Sequence, residues 1–399
     1  MIPHTIFPVM PEALNTLTAI GFILVAGILG ARLMTRLLPV PAITSYVLTG
    51  LLIGPAGLNL FNAAALDSLA PLIDLTLGLV VFELGRRIDY KWLVKEKWLL
   101  VTGILISVGI FFALYLLLTS MGVHHMVASM AAAIGMASSP AVALNIVHEL
   151  KAEGQVSERM LNIIAINNSL AFIVFTMSLS ALHLEYSSDW RILVFHPLFL
   201  VLGSGLLGWV AGRLVIYISE WLGREHQSQR IILFALIAAT VGAASMLNLS
   251  AMIALLVFGI TSRHRDRGYA IVEPDFSQFS GLLYAILFVS AGAQLELLHL
   301  REYWLIVAGF VGVRLVISVI FGAAMAPMNG LAVRRGALLG LSLLPMSGVA
   351  LVLVKNATVL YPEFGAQLSA LLLSVLAILE IAGPVCVRFA LILSGEAKN

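Results

Sequence analysis

The chain has 399 residues, 60% of them hydrophobic and 11% charged, with a formal charge of +2. A soluble domain of this length keeps a large polar surface, so this much apolar side chain excludes an ordinary water-soluble protein. The small net charge gives no footing for nucleic acid, and a single cysteine, Cys386, excludes a disulfide framework or a cysteine-cluster metal site.

Apolar runs near the roughly 20 residues that cross a bilayer recur along the whole chain. They are read as thirteen spans at 16–37, 41–60, 68–86, 98–121, 126–148, 159–183, 193–220, 230–247, 249–263, 277–298, 303–327, 335–356 and 366–392. The first run has no Lys or Arg before it, unlike a cleaved signal peptide, and is expected to stay as a helix. No connection is long enough for a soluble domain. Residues 1–399 are therefore expected to form a single membrane domain without a soluble regulatory part.

Charge placement tests the count, because Lys and Arg gather on cytoplasmic loops. Of the 23 basic residues, nineteen fall on alternate connections, from Arg32 and Arg36 through Arg86, Arg87, Lys151, Arg159, Arg263 and Arg334 to Arg388. The opposite set holds only Arg191, Arg301 and Lys355, and Arg314 is left inside a span. This predicts an N-terminus outside and a C-terminus in the cytoplasm, and compactness points to a bacterial inner membrane.

Two spans carry helix breakers near their centres: Ser138-Ser139-Pro140 in the fifth, and Pro345, Ser347 and Gly348 in the twelfth. Proline lacks an N–H and clashes with the preceding turn, which frees carbonyls at membrane depth. Paired interruptions in two halves of a chain point to a transporter's binding site, and spans seven apart must run in opposite directions. The plainer reading of each break is a simple proline kink.

Ionisable residues within spans are costly and therefore informative. Arg314, near the centre of the eleventh span, is either a site residue or a structural group, paired or capping carbonyls freed by a broken helix. Glu380, in the thirteenth span, is its expected charge partner. Asp74 is either a helix-start residue or part of a site. Glu83, near a cytoplasmic end, is expected to form an interfacial salt bridge with Arg86 or Arg87. Asn167 and Asn168 in the sixth span point about 100° apart. Both can face a cavity beside the broken fifth helix, or act as hydrogen-bonding glue between helices. The histidines, His124, His125, His148, His226 and His264 among them, have no metal-ligand spacing. No phosphate loop or nucleophile–base motif stands out, so neither enzyme activity nor a cofactor is expected.

Five segments resemble the monovalent cation:proton antiporter superfamily, which includes the sodium/hydrogen exchangers and the Kef-type membrane domains. They are the glycine-rich second span with Gly50, Gly54 and Gly57; Phe82 to Gly85; Phe288 to Gly292; Ser138 to Pro140; and the loop from Glu149 to Arg159. The resemblance implies an all-α membrane protein of inverted repeats with two crossed broken helices. It also implies a homodimer in the lipid bilayer, a core of spans at 98–183 and 303–392, and elevator-like exchange of Na⁺ or K⁺ for H⁺. Arg314 matches the position of the family's basic residue near the crossing.

The departures bear on mechanism. The family's coupling carboxylate matches Asn168, which cannot titrate, and the Glu often found four residues before the paired Asn matches Ile163. Gly348 is followed by Val349 where an acidic residue often stands. Three functions follow: an antiporter whose proton sits on Glu380 or Asp74; a transporter of a cation or an organic anion without proton coupling; or a transport-inactive sensor. An engineered Asp→Asn change at position 168 would also produce this pattern.

Overall fold

The computed structural model describes residues 16–37, 40–58, 60, 66, 68–88, 96–186, 190–222, 226–265, 277–295, 300–346, 350, 353–354, 357 and 362–397. These residues are helical, with no strand among them. In chain order the helices are α1 (Thr16–Leu37), α2 (Ala42–Ile53), α3 (Ala70–Arg87), α4 (Lys97–Ser120), α5 (His125–Gly135), α6 (Pro140–Glu149) and α7 (Gln155–Tyr186). They continue with α8 (Trp190–Leu222), α9 (His226–Met246), α10 (Ala251–Arg265), α11 (Ser277–Ala293), α12 (Leu300–Met325), α13 (Val333–Ser342) and α14 (Pro362–Leu393).

Each expected span meets a helix or a broken pair of helices. Taking α5 and α6 as one interrupted segment, eight segments are long and apolar enough to cross a membrane. The segments at 42–53, 251–263 and 281–293 are shorter apolar helices. Helix ends often overrun the apolar runs, because polar residues such as Gln155 and Glu158 continue the backbone pattern into α7. Exposed apolar stripes mark the lipid side: Phe195, Phe199, Leu202, Leu206 and Trp209 recur along α8 and are exposed. In water such a patch would drive association, whereas lipid tails solvate it without penalty.

Two helix pairs are fastened by glycine. Gly85 of α3 lies against the Leu256 carbonyl of α10, and Gly259 of α10 lies against the Phe82 carbonyl of α3. The same reciprocal contact joins α2 and α11, where Gly50 abuts the Val289 carbonyl and Gly292 the Val47 carbonyl. Small residues let membrane helices approach to backbone contact, and a Cβ at any of the four would collide with main chain. The register also refines the motif comparison. Phe82 and Gly85 correspond in position to Val289 and Gly292, so Phe288 is one residue out of step with Phe82.

α4 to α7 and α12 to α14 share a continuous buried cluster that includes Ile106, Val127, Ile134, Val142, Phe310, Leu339 and Leu376, and it extends to Ile43, Leu84 and Phe288 of α2, α3 and α11. α4 packs on α12, and α14 packs on α5, α6, α12 and α13, so the last helix touches both sides of the fifth span's break.

Candidate functional site

The two breaks meet each other. α5 ends at Gly135 and α6 begins at Pro140, and between them Ala137 to Ser139 have no regular structure. α6 starts there because Ser139 is a good N-cap, its hydroxyl accepting from Val142 N at 3.2 Å, and because Pro140 fits the first helical turn. α13 ends at Ser342, and residues 344–346 leave the helix around Pro345. Ser139 N donates to the Pro345 carbonyl at 2.8 Å, and Ser138 Oγ donates to the Leu343 carbonyl at 2.9 Å. The fifth span's break thus supplies two donors for carbonyls that the twelfth span's break has left free. Ser347 and Gly348 lie outside the described residues.

Arg314 caps this crossing from α12. It is 1% exposed, and its Nη2 donates to the carbonyls of Leu344 at 3.1 Å and Leu343 at 3.4 Å. The expected pairing with Glu380 is not made. Arg314 forms no ion pair among the described residues, and its Nε and Nη1 are buried without a hydrogen-bond partner. Carbonyls freed ahead of Pro345 satisfy one arm of the guanidinium, so the capping alternative is the one observed.

The adjacent asparagines part company. Asn168, 3% exposed, faces the crossing: its Nδ2 donates to the Ser138 carbonyl at 2.9 Å, and its Oδ1 is buried with no partner. Asn167 turns instead to α4, where its amide meets Ser107 Oγ at 2.8 Å. With the amide nitrogen on that side, it also donates to the Gly103 and Ile163 carbonyls at 3.3 and 3.2 Å. Asn167 is therefore interhelical glue, and only Asn168 reaches the break.

Glu380 is 2% exposed, and neither carboxylate oxygen has a hydrogen-bond partner. It sits one turn from the crossing. Gly383, three residues on, is so close to Pro345 that a Cβ there would lie 2.8 Å from its Cα. Pro384 stands four residues after Glu380 inside continuous α14. A proline cannot donate back to that carbonyl, so the Glu380 main chain gains no helical bond there. Isolated buried carboxylates are expensive, which makes this concentration of unmatched oxygen informative.

The other acidic residues lie elsewhere. Asp74 is exposed near the start of α3, unlike the buried crossing residues. Glu83 forms the expected interfacial bridge, its Oε1 lying 3.3 Å from Arg87 Nη2, and it also lies 3.2 Å from His148 Nε2 of α6.

Several polar contacts escaped sequence reasoning. Thr102 and Arg159 both bond to Asn329, after α12: Asn329 Nδ2 donates to Thr102 Oγ1, and Arg159 Nη2 donates to the Asn329 carbonyl, each at 2.8 Å. Glu396 caps α7, accepting from Val156 N at 2.7 Å and Ser157 N at 2.8 Å. Gly154, within one of the family-like segments, is the available signal, because a Cβ there would collide with the Glu396 side chain.

The chain matches the family model "Sodium/hydrogen exchanger, transmembrane" over residues 20–391. A structure of the sodium proton antiporter MjNhaP1 from Methanocaldococcus jannaschii at pH 8 is similar at 18% identity and TM-score 0.68, covering 95% of each chain. An electron-microscopy structure of the same antiporter aligns at 16% identity and TM-score 0.64, over 97% of this chain and 100% of that one. The search of curated proteins returned no match. At these identities the structures establish a shared fold, while the family match spans nearly the whole sequence, and the chain belongs to the sodium/hydrogen exchanger family of membrane transporters.

Proposed function

We propose that the chain exchanges a monovalent cation, Na⁺ or K⁺, for protons at the crossing of its two broken helices. Glu380 takes the coupling role that Asn168 cannot fill. The observation that carries this reading is the buried Glu380 carboxylate, unpartnered at both oxygens and one turn from Pro345. A carboxylate can hold either a proton or a cation, and Asn168 Oδ1 and main-chain carbonyls add oxygen ligands suited to a hard cation. One acid alternating between the two exchanges one proton for one cation, so turnover moves no net charge.

In this reading α4 to α7 and α12 to α14 form the moving core of an elevator. The remaining helices form a scaffold that pairs two protomers in the bilayer. The inverted repeat is supported by the matching glycine registers of α3 with α10 and of α11 with α2. The preferred orientation places the Arg87, Arg159, Arg263 and Arg388 end in the cytoplasm of a bacterial inner membrane, in line with the excess of basic residues there.

The test is proton flux in liposomes holding an internal pH dye, under imposed Na⁺, K⁺ or Li⁺ gradients. Cation-dependent flux in the parent is expected to vanish in Glu380→Gln and to be insensitive to a clamped membrane voltage. Undiminished flux in Glu380→Gln would remove Glu380 from the role. A silent parent with exchange restored by Asn168→Asp would mean that the scaffold is intact but uncoupled. A second reading has one observation in its favour: Arg314 keeps two buried nitrogen donors unpartnered, which suits an organic anion. Anion uptake lost in Arg314→Gln would select it.

A further inference from the structure

The turn that joins α12 to α13 is tightly held and carries a mixed surface. Gly330 turns the chain at φ 67°, a left-handed conformation that glycine adopts without strain. α13 then folds back on α12, with Gly336 against the Gly322 carbonyl and Gly322 against the Gly336 carbonyl. Asn329 Nδ2 in the same turn donates to Thr102 Oγ1 at 2.8 Å, and that hydroxyl donates to the Trp98 carbonyl at 2.6 Å. The turn is thereby fixed beside the start of α4. Arg334 and Arg335 of α13 and Lys97 of α4 are exposed there, and none forms an ion pair among the described residues.

Apolar side chains share this surface: Trp98, Met328 and Val333 are 48, 52 and 57% exposed. Large apolar groups beside uncompensated cations suit neither water nor hydrocarbon alone. Both kinds of residue gather where a bilayer meets water. The surface also runs on into lipid-facing side chains. Leu100 and Ile104 of α4 and Val316 and Ile320 of α12 are exposed, on two helices that pack together. We propose that Lys97, Trp98, Met328, Val333, Arg334 and Arg335 form a binding site for the headgroup of an anionic phospholipid in the adjoining leaflet.

The chemistry of the six residues matches that ligand. Two guanidinium forks recognise phosphate oxygens, and the Lys97 ammonium adds a compact third charge. Trp98 offers an indole N–H at headgroup depth, while Met328 and Val333 meet the first methylenes of the chains. Glu96 is the acid next to the site in sequence, so three cations stand against one carboxylate. Arg159 is not part of it, being buried behind the turn with its Nη2 on the Asn329 carbonyl. Lys91 and Lys95 lie outside the described residues. The site is at the opposite end of α13 from Pro345, so the inference does not rest on the exchange reading.

The experiment counts bound lipid. Delipidated protein in neutral detergent is titrated with phosphatidylglycerol and read by native mass spectrometry, beside phosphatidylcholine of the same chains. The parent is expected to retain phosphatidylglycerol selectively. One basic residue near an anionic lipid is worth roughly fivefold in affinity, so Arg334→Gln with Arg335→Gln should weaken retention roughly twentyfold. Phosphatidylglycerol should also raise the melting temperature of the parent and not of this double variant. Without lipid the two should melt alike, because both side chains are exposed. Lys97→Gln should give a smaller loss, and Arg32→Gln with Arg36→Gln, at the exposed end of α1, none. Equal retention of phosphatidylcholine, unchanged affinity in the double variant, or an equal loss in the α1 control overturns the proposal. Displacement of the lipid by inorganic phosphate also overturns it, in favour of a free-anion site.

Discussion

The glycine-fastened pairs and the helix crossing solve opposite problems. In α3 with α10 and α2 with α11, main chain touches main chain and no polar side chain is needed at the contact. At the crossing, Ser138, Ser139 and Arg314 satisfy several freed carbonyls, yet Asn168 Oδ1, both Glu380 oxygens and two Arg314 nitrogens stay unmatched. The first arrangement has no room to change and no charge to exchange. The second keeps buried polar capacity in reserve, and a transported ion needs just that. Rigidity and chemistry are assigned to different helices.

The largest expected effect breaks the first side of this contrast. Gly85→Val places branched carbon against the Leu256 carbonyl, and overpacking against backbone should cost more than about 3 kcal/mol. The expected outcome is loss of the monodisperse protein peak in detergent. A variant that purifies normally would mean the pair is less tightly joined than its backbone suggests.

An intermediate effect concerns the fastening of α7. Glu396→Ala removes two charge-assisted bonds from the start of α7 and should lower stability by about 2 kcal/mol, seen as a lower melting temperature. Glu396→Gln, which retains one acceptor oxygen, should fall between. Equal melting of all three would show that water caps the helix as well as the carboxylate does.

The smallest effect is a control on the glycine reasoning. Gly242 lies in α9 with nothing near the position of an added Cβ. Gly242→Ala should be neutral or stabilising by less than about 1 kcal/mol, through helix propensity alone. A marked loss would show that α9 meets a partner surface in the assembled protein.

Much of the bundle was legible because lipid imposes a simple rule on composition, and apolar runs therefore located each helix. Breaks were harder. Among the prolines within spans, Pro197 and Pro384 sit inside unbroken helices, whereas Pro140 and Pro345 mark breaks. What separates them is Ser139 as a cap and the bonds between segments some 200 residues apart, and no local pattern carries such bonds. Asn167 and Asn168 show the same limit. Their angular separation was readable, but which of them would find Ser107 depended on how α4 packs. Arg314 and Glu380 looked like partners because both are charged and mid-span. The freed carbonyls of Leu343 and Leu344, invisible as side chains, took the guanidinium instead. Histidines judged by metal spacing looked inert, while His148 meets Glu83, which lies on another helix.

The cap on α7 has a consequence for how the protein is made. Val156 and Ser157 receive their acceptors from a residue 240 and 239 positions later. During synthesis the helix bearing Asn168 must enter the membrane with those N–H groups uncovered. Only when α14 has threaded back beside α6 can Glu396 close them. Contacts of such long sequence separation form late, because the intervening chain must first be ordered. The start of α7 is thus closed only by a residue translated some 240 positions after it. An intermediate stalled before that point carries an open helix end, which exchange of the α7 amides in arrested chains would reveal.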